Sequence, residues 1–396
     1  MSAALAAPIS HDDGDVTITA GGVTVGGWQD VRATRGVERM PSDFVFSVTE
    51  RYPGRPDIVL QPFDPCVVRI GGDTVITGYV DRYGASIGPG EHTIRITGRG
   101  KCQDLVDCSA VIHAMQLTAG SMAVVAQALA APFGITVSSN HTIGLGSSGS
   151  PVPQFNVNLG ETPFELIDRI ARWAGVLAYE DTDGNLVLND AGTVQHSSGF
   201  EQGVNVEAAS VTFSADERFS VYTACIMSTQ QFSQIEGADG NTQGTVVDPT
   251  VGVAVPTPGK RFRPRIIISE QFQNGESIAL KRATWEMNRR NGRSRAVTLT
   301  CDSWRDSAGK LWEPNYLVPL HIPALKLEHQ LWLIGEVTYR RGEDGTHADL
   351  TLMPPAAYSL ATEVLAPTFN QIAQALPGGA AAPGGAAVPR SSNAPG

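Results

Sequence analysis

Gly144-Leu145-Gly146-Ser147-Ser148-Gly149 matches the G-x-G-x-x-G spacing that cradles a dinucleotide pyrophosphate. That chemistry needs a strand before the glycines and a helix N-terminus after them, so that backbone N–H groups meet the phosphates. Ser150-Pro151-Val152-Pro153 cannot start such a helix, and the stretch reads as a loop. Gly100-Lys101 lacks both the upstream glycine and the following Ser/Thr of a phosphate-binding loop. Asp181-x-Asp183-Gly184 opens like a calcium loop, but no glutamate stands at the twelfth position; Asp190 comes too early and Glu201 too late. A hairpin turn explains it. Glu161 and Glu165 could be imagined as a glycosidase pair, but Glu165 is accounted for as a helix-capping carboxylate. The eight histidines form no HExxH, the five cysteines no C-x-x-C, and there is no G-x-S-x-G elbow. These patterns predict a protein that is not an enzyme, with no catalytic, cofactor-binding or metal-ligating residues and no cofactor.

The elements that would have to position any site are mostly short strands. Cys66 to Thr97 reads as a meander: Val67–Ile70, the turn Gly71-Gly72-Asp73, Val75–Val80, a Gly/Pro-punctuated loop, and strictly alternating His92–Thr97. A similar unit recurs near the C-terminus as Val318–Ile322, Leu331–Tyr339, the turn Gly342-Glu343-Asp344-Gly345, and His347–Leu352. Both place a glycine two residues before a valine in the middle strand and a histidine near the start of the last. Either two generic meanders coincide, or the chain carries two related β domains.

At 396 residues there is room for two or three cores, and Gly 42 with Pro 25 favours a turn-rich all-β or α+β plan. No apolar run is long enough to cross a bilayer, and MSAALAAPIS lacks the basic start of a signal peptide, so a cytoplasmic product with reduced thiols is expected. Net charge is −11, yet residues 260–295 carry ten Lys/Arg against Glu270, Glu276 and Glu286. That basic stretch is either a solvated face or a surface for an acidic partner.

The chain then divides as follows. Residues 1–11 form a flexible arm and 12–110 a first tube-like β domain. Residues 111–200 form an α+β module of two helix–strand units. One helix starts at Ser121, with Met122, Val125, Ala126 and Leu129 on one face. The other starts at Thr162-Pro163-Phe164-Glu165, a capping box, and stops at Gly175. Residues 201–358 form a second tube-like β domain with an inserted surface loop at 231–262 and a helix at 276–291. The segment 359–396 follows, with disorder expected from about 377. The six tryptophans fall within these elements, which favours core roles. The predicted fold class is α+β, mainly β, with two antiparallel β-barrel domains and small α+β modules between or inserted.

In this order the elements resemble the baseplate hub proteins of contractile-tailed phages, the Mu-like tail hub (late-control D) family. The resemblance rests on Ile94–Lys101 with Asp104–Ser109, on Gly160–Glu165 and the Tyr179–Leu188 hairpin, and on Ala283–Arg295 with Val297–Leu299 and Trp304. Gly309–Asn315 and the final meander complete it, over about residues 12–358. It implies a homotrimer whose two tube-like domains per chain give six similar positions, a symmetry adaptor between a hexameric tail tube and a trimeric central spike. The partners it implies are further copies of the chain, the tail tube or a tube-initiator protein, the spike, baseplate wedge proteins and the tape measure protein. It involves no membrane, DNA only in passage, and a place in the virion tail baseplate, assembled in the host cytoplasm. A tail-associated peptidoglycan hydrolase and a tail-tip binding module are the alternatives.

Overall fold

The computed structural model describes residues 14–49, 60–89, 91–111, 116–117, 120–141, 152, 155–192, 194–227, 241–270 and 275–358. The arm 1–11, Gly144–Gly149, residues 231–240 and the segment from 359 onward lie outside them. The first β region holds β1 (Val16–Ala20), β2 (Val23–Val25), β3 (Asp30–Gly36), β4 (Asp43–Thr49), β5 (Pro65–Ile70), β6 (Asp73–Gly88) and β7 (Glu91–Gly100). The middle unit holds α1 (Gln103–Asp107), β8 (Gln116–Leu117), α2 (Met122–Ala130), β9 (Val137–Ser139), β10 (Phe155–Asn156), α3 (Pro163–Ala174), β11 (Leu177–Glu180) and β12 (Leu186–Asn189). The last region opens with β13 (Val194–Gln195), β14 (Phe200–Glu201), β15 (Val206–Phe213), β16 (Val221–Met227), β17 (Asn241–Val247) and β18 (Pro264–Glu270). It ends with α4 (Gly275–Arg293), β19 (Arg295–Cys301), β20 (Tyr316–Ile322), β21 (Leu327–Gly342) and β22 (Gly345–Met353).

The fold is α+β and mainly β. One sheet runs through both β regions in the order β15-β19-β22-β21-β3-β4-β7-β6-β5-β1-β2, with β20 beside the first half of β21. The antiparallel pairs form an open path, and no ladder among the described residues closes either region into a barrel. Alternation explains the single core beneath it. Phe44 and Phe46 of β4, and Val297 and Leu299 of β19, turn inward among Ile18, Val68, Trp312, Trp332 and Tyr339 in one cluster spanning both regions. Each such side chain contributes about 1.5–3 kcal/mol by leaving water.

The order β15-β19-β22-β21 is repeated by β3-β4-β7-β6. The repeat is metric as well. Leu327 lies 254 positions after Asp73, and Gly342 the same distance after Gly88, so the two 16-residue middle strands correspond end to end at one constant shift. Each carries two bulges where one extra residue faces the partner strands: Val75 and Asp81 in β6, His329 and Gly335 in β21, at the same shift. This register corrects the sequence alignment of Gly78 with Gly335. Gly335 matches Asp81, and Gly78 matches Trp332, because the copies share backbone geometry rather than residues.

The middle unit has its own core, built from Cys102, Leu105, the α2 face, and Leu166, Ile167, Ile170 and Ala171 of α3. The α3 start follows local chemistry. Glu165 N–H donates to the Thr162 hydroxyl (3.2 Å), Thr162 N–H donates to the Glu165 carboxylate (2.9 Å), and Gly175 (φ 79°) ends the helix. Between β15 and β19 the chain inserts a second sheet, β17-β16-β18, covered by α4 through Ala279 and Ala283. The surface loop expected at 231–262 is therefore corrected over Asn241–Val247, which is strand β17. Its polar Asn-Thr-Gln-Gly start reads as loop, but Gly244 is where α4 crosses. A Cβ there would sit 2.2 Å from Leu280 N.

Candidate assembly interfaces

The carboxylates and the lysine singled out in the sequence are engaged in structural roles. Asp181 accepts N–H bonds from Asp183 (2.9 Å) and Asn185 (2.7 Å), so its carboxylate closes the hairpin turn. Glu161 accepts from Asn158 N–H (2.7 Å) and Arg169 (2.9 Å), while Glu165 serves the cap; the two are not a catalytic pair. Lys101 donates to the Gly134 carbonyl. One buried His–carboxylate pair escaped the sequence reading. His196 Nδ1 lies 3.0 Å from Asp306 Oδ2, and both side chains are almost wholly enclosed. Glu313 N–H donates to His196 Nε2 (3.1 Å), so that nitrogen is an acceptor already in use and Nδ1 carries the proton. Burial lowers the His196 pKa despite Asp306. Burial would raise Asp306, but His196 and the N–H groups of Lys310, Ser197 and Ala308 together hold it below its usual range. A saturated pair of this kind fixes the Val194–Ser197 segment to the 306–313 loop and performs no catalysis.

Two glycines explain how the middle unit is set on the sheet. The alternation fades at Gly98-Arg99-Gly100 because neither glycine has room for a side chain. A Cβ on Gly98 would lie 2.3 Å from the Phe44 ring, and one on Gly100 1.9 Å from Glu180 Oε2. Glu180, at the end of β11, is buried and accepts N–H bonds from Ser42 (2.9 Å) and Cys102 (2.7 Å). Burial raises its pKa although both bonds oppose this. Thr77 adds a bond from β6 to the Thr182 carbonyl (2.9 Å), so hairpin and sheet move together.

The surfaces left over are strand edges. β21 is paired along its whole free side, first with β20 (Leu327–Leu333) and then with β3 (Glu336–Arg341). At that second junction the Thr34 and Thr338 hydroxyls are hydrogen-bonded at 3.1 Å. β6 pairs with β5 over Asp73–Tyr79, but among the described residues Arg82–Gly88 pairs only with β7. At the far end of the sheet, β15 from Ala208 to Phe213 pairs, among the described residues, only with β19. Each open edge exposes a large apolar side chain, Ile87 at 86% and Phe213 at 62%. Such edges are templates for another strand. Neither was legible in the sequence: the stretch after Val80 reads as a loop, whereas β6 continues through it to Gly88.

The basic stretch is largely engaged. Arg289 and Arg293 meet Glu38, and Arg290 meets Glu286 and Glu217. All five cysteines are free thiols, and burial pushes Cys66 and Cys301 up to about 12. No described helix is long and apolar enough to cross a membrane.

Three family models match in succession. Residues 15–100 match the N-terminal domain of Mu phage baseplate assembly protein GpP-like proteins, 102–190 the second domain of gp44-like baseplate hub proteins, and 276–361 the fourth domain of the GpP protein. The baseplate hub protein gp44 of Escherichia phage Mu is 28% identical over 350 residues, 88% of this chain and 90% of that protein. The 43 kDa tail protein of prophage MuSo2 from Shewanella oneidensis is 31% identical, covers 87% of this chain and 99% of that one, and superposes with a TM-score of 0.75. A fold likeness alone (10% identity, TM-score 0.51, 88% and 80% coverage) extends to the E. coli c3393 protein. That protein is described as a type VI secretion component structurally similar to T4 tail proteins gp27 and gp5.

Proposed function

This chain belongs to the baseplate hub proteins of Mu-like phages, structural parts of the virion tail rather than enzymes, and on that premise we propose that three copies close into a ring through their open strand edges. The observation that carries this is the repeated strand order, β15-β19-β22-β21 followed by β3-β4-β7-β6. Inside one chain, the second copy joins the first where β21 beyond its bulge pairs with β3. Under the 254-residue shift, the same half of β6 is the open edge Arg82–Gly88, and by place in the strand order the counterpart of β3 is the open edge β15. Repeating the internal junction between neighbours sets Tyr83 opposite Phe213, Ala85 opposite Val211 and Ile87 opposite Ala209. Three chains then supply six equivalent four-strand units around one axis, a closed heterologous ring. Covering Ile87 and Phe213 contributes about 1.5–3 kcal/mol each, besides the ladder hydrogen bonds.

A ring that is threefold in chains and nearly sixfold in strands suits a junction between a hexameric tail tube and a trimeric spike, with a passage for DNA. The sheet face turned away from the core supports that use. It carries threonines and serines, and several of its charges are paired in place, such as Arg32 with Asp43 (2.7 Å) and Arg340 with Asp349 (2.8 Å). Sedimentation equilibrium of the purified protein, alone and with its spike, tests the reading. A trimer is expected, and Ile87→Asp at the edge weakens it without unfolding the chain. A monomer under both conditions would contradict the ring.

A further inference from the structure

Tyr358 is the last described residue, and it packs with Val37, Leu177 and Ala357. Val37 and Leu177 also line a cleft of about 500 Å³ between α3 and α4, with Phe164, Arg282, Trp285 and Arg289 among its other walls. The guanidinium groups of Arg282 and Arg289 lie 4.9 and 5.4 Å from the centre of the Trp285 ring. Arg289 turns to Glu38 (3.5 Å), but Nε and Nη1 of Arg282 are buried without a hydrogen-bond partner. Buried donors left unpaired are costly, and a guanidinium fork matches a carboxylate. The cleft therefore calls for an apolar segment that carries one acid.

We propose that its occupant is the chain's own continuation, residues 359–369, with the Glu363 carboxylate on Arg282. The sequence after Tyr358 reads Ser-Leu-Ala-Thr-Glu-Val-Leu, and Glu363 is the only ionisable side chain before Arg390. Leu360, Val364 and Leu365 match the Phe164, Leu177 and Trp285 walls. Reach agrees too. Arg293 Nε donates to the Ala357 carbonyl (3.3 Å), which places the chain's exit at the C-terminal end of α4. Arg282 lies about 16 Å back along that helix at its rise per residue, and the five residues from Tyr358 to Glu363 span about 17 Å when extended. Seated there, the segment staples α3 of the middle unit to α4 of the second β region, independently of ring closure.

Hydrogen–deuterium exchange on the whole protein tests this. A chain ending at Tyr358 should exchange residues 164–172 and 282–290 about tenfold faster than the full chain, with the rest of the sheet unchanged. The isosteric Glu363→Gln, in case truncation disturbs folding, should reproduce most of that change, and Arg282→Glu combined with Glu363→Arg should reverse it. Equal exchange in all forms would overturn the proposal. So would protection that appears only on mixing with another tail component or on trimer formation, because the occupant would then be another chain.

Discussion

The two copies of the meander have the same backbone and opposite fates. In the second, β21 beyond its bulge is covered by β3, and Tyr339 there is wholly buried. In the first, the same half of β6 stands at an open edge, and the equivalent residue, Ala85, is exposed. The bulges differ likewise. Gly335 leaves no room for a Cβ, which would lie 1.7 Å from the Tyr358 hydroxyl. Asp81, its counterpart, lines an open cleft of about 1020 Å³ and pairs with Arg99 (2.6 Å). One geometry used twice in a chain yields one internal junction and one left for a neighbour. The buried copy spends its side chains on stability, whereas the open copy holds them for assembly.

Substitutions at matched positions should separate those roles. Tyr339→Ala should cost about 3–5 kcal/mol in urea unfolding, as for other large buried side chains. Ala85→Asp at the matched position should change monomer stability by less than about 0.5 kcal/mol, yet abolish the trimer in sedimentation. Similar stability losses at both positions would remove the distinction. Gly335→Ala should cost about 1–3 kcal/mol through overpacking against Tyr358, against about 0–1 kcal/mol for Asp81→Ala, which loses only a partly exposed ion pair.

The His196–Asp306 pair adds a pH dependence to the second copy alone. Because the folded His196 pKa lies below its ordinary 6.5, the unfolded chain takes up protons first as pH falls. Its contribution is therefore complete above pH 6.5 and is lost below it, as pH falls toward the folded value, with a slope of at most about 1.4 kcal/mol per pH unit. His196→Gln should flatten that part of a stability–pH profile; an unchanged slope would place its origin elsewhere. Thr34→Val should cost about 0.5–1.5 kcal/mol by removing the hydroxyl bond across the internal junction, with no effect on oligomeric state.

What was legible in the sequence was local. Thr162-Pro163-Phe164-Glu165 specifies its own cap, and Phe44 and Phe46 announce their face by alternation, so helix α3 could be read directly, and the meanders apart from the second half of β6, which reads as loop. The related pair of meanders could be seen, but its register could not, since Asp81 and Gly335 share a backbone position and no chemistry. Strand β17 was hidden because Gly244 serves a helix brought over it by the tertiary fold. The junction of β21 with β3 joins residues some 300 positions apart, such as Thr338 and Thr34, and no local pattern encodes such a pairing. The candidate interface was the least legible part. An open edge is defined by the strand that is not beside it.

The most direct test joins the two open edges covalently. In a Cys108→Ser background, which removes the exposed native thiol, the double variant Ala85→Cys and Val211→Cys should oxidise to a covalent trimer on denaturing gels. Moving the second thiol one residue to Thr212→Cys, onto the opposite face, should abolish the product. Formation of the product with both partners alike, or with neither while the protein sediments as a trimer, would contradict closure through these edges.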